Sequence, residues 1–202
     1  MDALGGTVCQ GRRVDSADVK AFFEQVSTQW DDMRSSFYNA GVIDALADHA
    51  RVTPTSTVVD VGTGTGFVAA GLAGRCGAVI GVDNSPAMLA VAADNLRALA
   101  VDNVTLAAGD VDALGLPDDS VDVAVANMVL HHAPDPAAML TEMARVVRPG
   151  GTIAITDEIV HHYDWMRTEQ ADIWLGFTSD QVHDYFQQGR LVDYGYASLG
   201  VQ

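Results

Sequence analysis

The hydrophobic pattern of the chain alternates between short apolar runs and amphipathic stretches. Five apolar runs are rich in valine, isoleucine and alanine, and short runs with many β-branched residues are typical of strands buried in a parallel sheet. They lie at 57–61, 78–82, 104–108, 121–126 and 152–156. The amphipathic stretches have the spacing and capping residues of helices, at 67–75, 86–99 and 135–147. This alternation predicts an α/β fold with a doubly wound, Rossmann-like, mostly parallel sheet.

Helices are also predicted before the first strand. Apolar residues from Val19 to Trp30 recur at spacings of three and four, which places them on one face of a helix that begins near residue 17. A second helix is expected at 40–49. We therefore divide the chain into an N-terminal arm with helices at 1–52 and an α/β domain at 53–202.

The region after the fifth run is less regular. We expect helices at 163–174 and 179–188, the second with a capping residue at its start. A sixth strand is expected at 191–197.

Ligands of doubly wound sheets bind beyond the carboxyl ends of the strands, near the point where the strand order reverses. The residues directly after each run are therefore the candidates for a site. They are 62–66, Asp83, 109–110, 127–132 and 157–162.

The turn after the first strand is rich in glycine, with the sequence VVDVGTGTG at 58–66. Such a turn lets the backbone approach a ligand closely and leaves free N–H groups at the start of the next helix. The dinucleotide fingerprint G-x-G-x-x-G does not fit, because Phe67 or Ala69 stands where its third glycine would be. An NAD-dependent oxidoreductase is therefore a less favoured alternative.

The glycine turn resembles motif I of the class I S-adenosylmethionine (SAM)-dependent methyltransferases. The segment GVDNSPAML at 81–89 and the segment 109–151 resemble the ubiquinone/menaquinone-biosynthesis-type branch of that family, the methyltransferase domain 11-like enzymes. The resemblance covers 57–157. It implies a SAM-binding methyltransferase domain at 53–202 that takes SAM as cofactor and releases S-adenosylhomocysteine. It also implies that the leading helices form a lid over the cleft and that the acceptor is a small molecule.

The resemblance also carries over a set of cofactor-binding residues. Gly62 and Gly64 would pass closest to the methionine part of SAM, and Asp83 would accept hydrogen bonds from the ribose hydroxyls. Asp110 and the Val111 backbone would contact adenine. Three of these residues have plainer alternatives: Gly66 in helix packing, Asp110 in a turn, and Asn127 as a strand terminator. The full set is Asp60, Gly62, Gly64, Gly66, Asp83, Asn84, Asp110, Val111 and Asn127.

No catalytic base is assigned from the sequence. Methyl transfer from a sulfonium depends mainly on orientation, which supplies roughly 7–11 kcal/mol, so a catalytic pair is not required. The candidates for contact near the reacting groups are His131, His161 and Tyr38, each with a structural alternative. The acidic and histidine residues at 157–164 have metal-capable chemistry, but adjacent histidines usually point apart, and we expect no metal.

Charge narrows the choice of acceptor. The chain has 27 acidic and 11 basic residues, a formal net charge of −16. An acidic surface repels phosphate backbones and anionic lipid, so neither nucleic acid nor a membrane is an expected partner.

Cysteine content and the N-terminus bear on location. Cys9 and Cys76 make no disulfide framework, and the N-terminus has no apolar signal-peptide core, so we expect a cytoplasmic protein. The family's final antiparallel strand has no counterpart in the sequence. An open C-terminal edge would allow pairing with a second copy, and a SAM-binding protein without turnover, or a truncated one, remains an alternative.

Overall fold

The computed structural model describes residues 14–199 and contains one parallel sheet. The glycine-rich start of the arm, with Cys9, lies outside the described residues. The strands are β1 (Thr57–Val61), β2 (Ala78–Asp83), β3 (Val104–Ala108), β4 (Val121–Asn127) and β5 (Val147–Thr156). Their order is β3-β2-β1-β4-β5, and every pair is parallel. The doubly wound fold is confirmed, and the strand order reverses between β1 and β4.

Helices cover both faces of this sheet and precede and follow it. They are α1 (Ser16–Val26), α2 (Trp30–Arg34), α3 (Gly41–His49), α4 (Phe67–Ala73), α5 (Pro86–Ala98), α6 (Pro136–Val146), α7 (Trp165–Glu169) and α8 (Ser179–Gln188). A short 3₁₀ turn, Leu130–His132, follows β4. Aspartate or serine caps α5 and α6, and each has proline at its first position, where proline loses no hydrogen bond.

Two apolar layers fix the sheet between the helices. On one face, Val59 and Val61 pack with residues of α6 such as Met139 and Leu140. On the other face, residues of α3 and α4 pack against Val58. Alternate residues of β1 therefore face opposite cores, and the strand is buried on both sides.

The long N-terminal helix predicted from 17 to 30 is wrong in its length. α1 ends at Val26, and α2 begins at Trp30 after a three-residue turn. Ser27 and Thr28 are poor helix formers, and the Ser27 hydroxyl bonds back to the Glu24 carbonyl.

Two predictions after β5 are also wrong. The helix expected at 163–174 is limited to Trp165–Glu169, because Ala171 takes a left-handed φ of 61° and the backbone N–H groups of 173 and 174 donate to the His131 carbonyl. The strand expected at 191–197 does not form. There Asp193 has a φ of 54°, which interrupts an extended chain.

The sheet has an unpaired edge at β5. Among residues 14–199, β5 pairs only with β4. Pairing of this edge with a second copy stays a prediction. No helix in the same part of the chain has the length and hydropathy to cross a bilayer.

Candidate functional site

A cavity of about 340 Å³ lies at the carboxyl ends of β1, β2 and β4, beneath α1 and α2. Its volume is in the range of small-molecule sites, and its position at the switch point is the one expected of a doubly wound sheet. Its walls combine the glycine turn, acidic residues after β2 and β3, and aromatic residues of the N-terminal helices. The lining includes Phe23, Trp30, Tyr38, Gly62, Thr63, Gly64, Asp83, Asn84, Asp110, Val111, Asn127, Met128, Val129 and His132.

The glycine turn forms the floor of the cavity. Gly62 has a φ of 67°, and a Cβ there would lie 2.6 Å from the Val129 Cγ2 atom. Gly64 has a φ of 54°, and the nearest atom to its Cβ position is Trp30 Nε1 at 3.9 Å, so this glycine faces open space in the cavity. A side chain at Gly62 would clash with Val129, and one at Gly64 would occupy the cavity, so the two glycines allow a ligand to approach the backbone closely.

Gly66 has a different environment. It caps α4 with a φ of 83°, and its Cβ position lies 3.3 Å from the Cβ of Ala92 on α5. It does not line the cavity. The packing alternative that the sequence left open for Gly66 therefore fits its surroundings.

Asp60 supports the turn from below. Its side chain is 1% exposed, and one carboxylate oxygen accepts from the Thr63 hydroxyl at 2.7 Å. Burial raises the pKa of Asp60 to about 7, although the hydrogen bonds from Thr63 and from the Ala69 backbone oppose the shift. A protonated fraction near neutral pH follows from this environment.

Asp83 joins the turn to the end of β2. Its two oxygens accept from the backbone N–H groups of Gly64 and Ser85, each at 2.9 Å. Burial raises the pKa of Asp83, while these hydrogen bonds favour its charged form. The carboxylate lines the cavity and has lone pairs left for a ligand's hydroxyls.

The residues expected at adenine lie at the far end of the cavity. Asn84 Nδ2 donates to Asp110 Oδ1 at 2.9 Å, and both side chains line the cavity beside Val111. Asp110 is exposed. The pair thus forms a polar rim that is open to solvent.

Asn127 and Tyr38 lie opposite the glycine turn. Asn127 Oδ1 accepts from the Thr156 hydroxyl at 2.7 Å, and both Asn127 and Tyr38 line the cavity. Burial raises the pKa of Tyr38 to about 12, so its phenol is neutral at ordinary pH and is a poor proton acceptor. The Arg34 guanidinium lies 3.7 Å from the Phe67 ring centroid and 5.9 Å from that of Tyr38.

Asp31 of α2, a residue that the sequence did not single out, joins the N-terminal helices to the glycine turn and to α5. Asp31 accepts from the Thr65 hydroxyl at 2.7 Å, from Asn95 Nδ2 at 3.0 Å and from Arg34 Nε at 2.9 Å. Burial opposes its ionisation, but these donors outweigh burial and lower the pKa of Asp31. Its partners in the turn and in α5 are far away along the chain, so no local spacing could have identified it.

The histidines divide between two places. His132 lines the large cavity, and its ring packs edge-on against Phe23 at 5.0 Å. Burial and the neighbouring His131 lower the pKa of His132 well below its ordinary value. The candidates His131 and His161 do not line this cavity. His131 Nδ1 lies 2.8 Å from Asp157 Oδ1, and His161 Nε2 lies 2.7 Å from Glu158 Oε2.

Comparison with known proteins finds a family that part of the chain resembles. Residues 59–155 match the family described as a methyltransferase domain. An arsenite methyltransferase of Halobacterium salinarum is 38% identical over 113 residues, which cover 54% of this chain and 29% of that protein. A 2-phytyl-1,4-naphtoquinone methyltransferase of Synechococcus elongatus is 34% identical over 146 residues, 69% of this chain and 63% of that protein. The chain spans less than two thirds of the length of either relative.

A solved structure supports the same fold. A SAM-dependent methyltransferase from Aquifex aeolicus superposes with a TM-score of 0.64 and 21% identity, covering 87% of each chain. The cavity fits SAM, because a bare glycine turn and a carboxylate with free lone pairs face it. Residues 59–155, a little under half of the chain, are therefore similar to the methyltransferase domain family, and the chain shares the fold of the Aquifex aeolicus SAM-dependent methyltransferase.

Proposed function

We propose that this protein transfers a methyl group from SAM to a small-molecule acceptor. The observation that carries the proposal is the continuity of one cavity from the glycine turn and Asp83 to an aromatic end formed by Phe23, Trp30 and Tyr38. The polar end suits a nucleoside and the aromatic end suits an apolar acceptor, so both reactants would lie in one enclosed space.

The roles of the polar residues follow from their positions. We assign Asp83 to the ribose hydroxyls, Asp110 and the Val111 backbone to adenine, and Asn127 to the amino-acid part. Gly62 and Gly64 leave room for the methionine chain. Asp60 stabilises the glycine turn, and Asn84 orients Asp110 through a hydrogen bond. The SAM sulfonium supplies an activated methyl group. On transfer, the acceptor would gain the methyl group and lose a proton to water, and S-adenosylhomocysteine would be released.

The chain's own contribution to this reaction is orientation and exclusion of water. The lid helices close over the cavity through Asp31, and Trp30 and Phe23 pack edge to face at 5.1 Å in its roof. An enclosed, oriented pair of reactants reacts faster without a dedicated base.

The acceptor end favours a carbon, oxygen or nitrogen nucleophile on an apolar body. Cys76, the free cysteine of the described residues, is buried with its thiol donating to the Leu72 carbonyl, and it does not line the cavity. No thiol of that part of the chain is therefore available there to hold a thiophilic acceptor. We also propose a cytoplasmic location, with neither nucleic acid nor membrane as partner, because of the acidic charge and the free thiol.

Calorimetry with variants tests the cofactor assignment. SAM and S-adenosylhomocysteine should bind, and NAD should not. Asp83→Ala should weaken S-adenosylhomocysteine about 100-fold, because charged hydrogen bonds contribute about 1.5–3 kcal/mol each. The exposed Asp94 serves as control, since Asp94→Ala should leave binding unchanged.

A matched ligand separates ribose contact from support of the turn. The wild type should prefer S-adenosylhomocysteine over its 2′,3′-dideoxy analogue, and Asp83→Ala should bind the two alike. If the variant keeps the preference, the ribose assignment fails. Tight SAM binding without methyl transfer to any of a panel of phenols, quinols and amines would instead favour the alternative of a binding protein without turnover.

A further inference from the structure

A second, smaller cavity of about 20 Å³ lies behind the acceptor end of the first. Trp30, Tyr38, Met128 and His132 line both cavities. The small cavity has room for a single water or ion, and its polar lining includes His131, His132, Glu158, Gln170 and Asp172.

Asp172 is the unusual member of this lining. Its side chain is 0% exposed, and neither carboxylate oxygen has a hydrogen-bond partner. An ionised carboxylate buried without partners is very costly, so a native structure is expected to supply a cation or donors for it. Nothing in the methyl-transfer site accounts for this residue.

The two neighbouring histidines are oriented as metal ligands usually are. His131 Nδ1 lies 2.8 Å from Asp157 Oδ1, and His132 Nδ1 lies 3.3 Å from the Ala171 carbonyl. When a neutral imidazole donates its Nδ1–H to an acceptor of this kind, Nε2 carries the lone pair. In metal sites the same arrangement fixes the ring and leaves Nε2 for the ion.

The distances allow one ion to be shared. His131, His132 and Asp172 each offer a ligand atom within 4.8 Å of the others, and His131 Nε2 lies 3.8 Å from Asp172 Oδ1. That separation is too long for a hydrogen bond, but two ligands that each lie about 2.0–2.2 Å from zinc can be this far apart. Asp172 also belongs to a second such group with Glu158 and His161.

We propose that His131, His132 and Asp172 bind a divalent transition-metal ion of the Zn²⁺ type. Two imidazoles with carboxylates are a ligand set that zinc, cobalt and iron accept. The ion neutralises the buried carboxylate and ties the segment after α7 to the end of β4. This departs from the expectation of no metal drawn from the sequence, and it does not depend on methyl transfer.

Titration of the full chain, stripped with EDTA, with Zn²⁺ alone tests the proposal. We expect one site in calorimetry, a rise in melting temperature on adding Zn²⁺, and a visible d–d absorption band with Co²⁺. Asp172→Asn and His132→Gln should each weaken Zn²⁺ at least tenfold. The exposed neighbours provide matched controls, since Asp164→Asn and His162→Gln should leave the affinity unchanged.

The metal-free protein gives an independent readout. Asp172→Asn replaces a buried carboxylate that accepts no hydrogen bond, so its melting temperature without metal should be at least that of the wild type, while the rise on adding Zn²⁺ is lost. Zn²⁺ binding that is equal in all four variants would mean adventitious binding and would overturn the proposal. Absence of binding to the folded wild type would overturn it too, and a protonated His131, with Nε2 at 3.8 Å from Asp172 Oδ1, would then be the counter-charge of Asp172.

Discussion

Gly62 offers a prediction whose size can be worked from two distances. A Cβ on Gly62 would lie 2.6 Å and 2.8 Å from the two Cγ atoms of Val129, and the residue has a φ of 67°. The left-handed conformation costs roughly 1–2 kcal/mol for a residue with a side chain. Overpacking adds about 1–3 kcal/mol, and the lower entropy of the unfolded alanine chain returns about 0.4–1 kcal/mol. Gly62→Ala should therefore lower the free energy of unfolding by about 2–4 kcal/mol.

A variant at Gly115 separates the cost of the left-handed conformation from the cost of overpacking. It has a φ of 71°, but its Cβ position has no atom within 4 Å, so Gly115→Ala tests the left-handed conformation alone. We expect a loss of about 1 kcal/mol for Gly115→Ala, measured by urea unfolding followed by circular dichroism. In a chain of this size the difference of about 2 kcal/mol between the variants corresponds to roughly 4–8 °C in melting temperature.

Combining Gly62→Ala with Val129→Ala gives a double-mutant cycle for this contact. Removing the two methyl groups should recover most of the excess cost of Gly62→Ala, giving a coupling of about 1–2 kcal/mol. SAM binding should weaken in Gly62→Ala, because the turn must move, and should not change in Gly115→Ala. If Gly62→Ala costs no more than Gly115→Ala, or if its cost is the same in the Val129→Ala background, the close approach of the turn to the segment after β4 is wrong.

Three further predictions concern the same cavity. The pKa of Asp60 is raised to about 7 from an ordinary 3.8, so between these pH values the native state holds a proton that the unfolded state lacks. The free energy of unfolding should therefore fall as pH rises from about 4 to about 7. Asp60→Asn should flatten that fall in urea unfolding at pH 5 and pH 8, and an unchanged slope would contradict the pKa. Asp31→Ala should speed SAM dissociation in stopped-flow at least fivefold, because it releases α2 from the glycine turn, whereas the exposed Asp32→Ala should not. Equal dissociation rates in the two variants would show that the hydrogen bonds of Asp31 do not hold the N-terminal helices over the cavity. Tyr38→Phe should keep SAM affinity within about fivefold, because the neutral phenol is a poor proton acceptor and a single hydroxyl contributes about 1 kcal/mol as a hydrogen bond. A larger loss by calorimetry would assign the hydroxyl a direct role.

The parts of the fold that local pattern decides were predictable from the sequence. The five strands lie where the apolar runs predict them, apart from β5, which begins at Val147 instead of residue 152. Aspartate or serine before proline marked the starts of α5 and α6. The glycine spacing and Asp83 predicted a site at the ends of β1 and β2, and both line the cavity.

What the sequence did not reveal depends on contacts between distant segments. In the sequence Asp31 is an ordinary acidic residue of a short helix, and its role depends on the hydrogen bonds that it accepts from the distant Thr65 and Asn95. Asp172 lies within a predicted helix whose backbone instead bonds to the His131 carbonyl. The spacing of hydrophobic residues predicts which face of a helix or strand is buried. It does not predict which distant residue a polar side chain will contact.

This division between local and distant contacts also explains the range of acceptors among the relatives. The family match spans residues 59–155, which carry the glycine turn, Asp83 and Asn127, the residues that we propose for the cofactor. The aromatic end that we propose for the acceptor includes Phe23, Trp30 and other cavity residues before β1, outside that match. Proteins similar over this region can therefore share a cofactor while their names specify acceptors as different as arsenite and a naphthoquinone. Substitutions that change acceptor preference are accordingly expected in α1 and α2 and at Tyr38, and substitutions that change SAM affinity are expected between β1 and the end of β4.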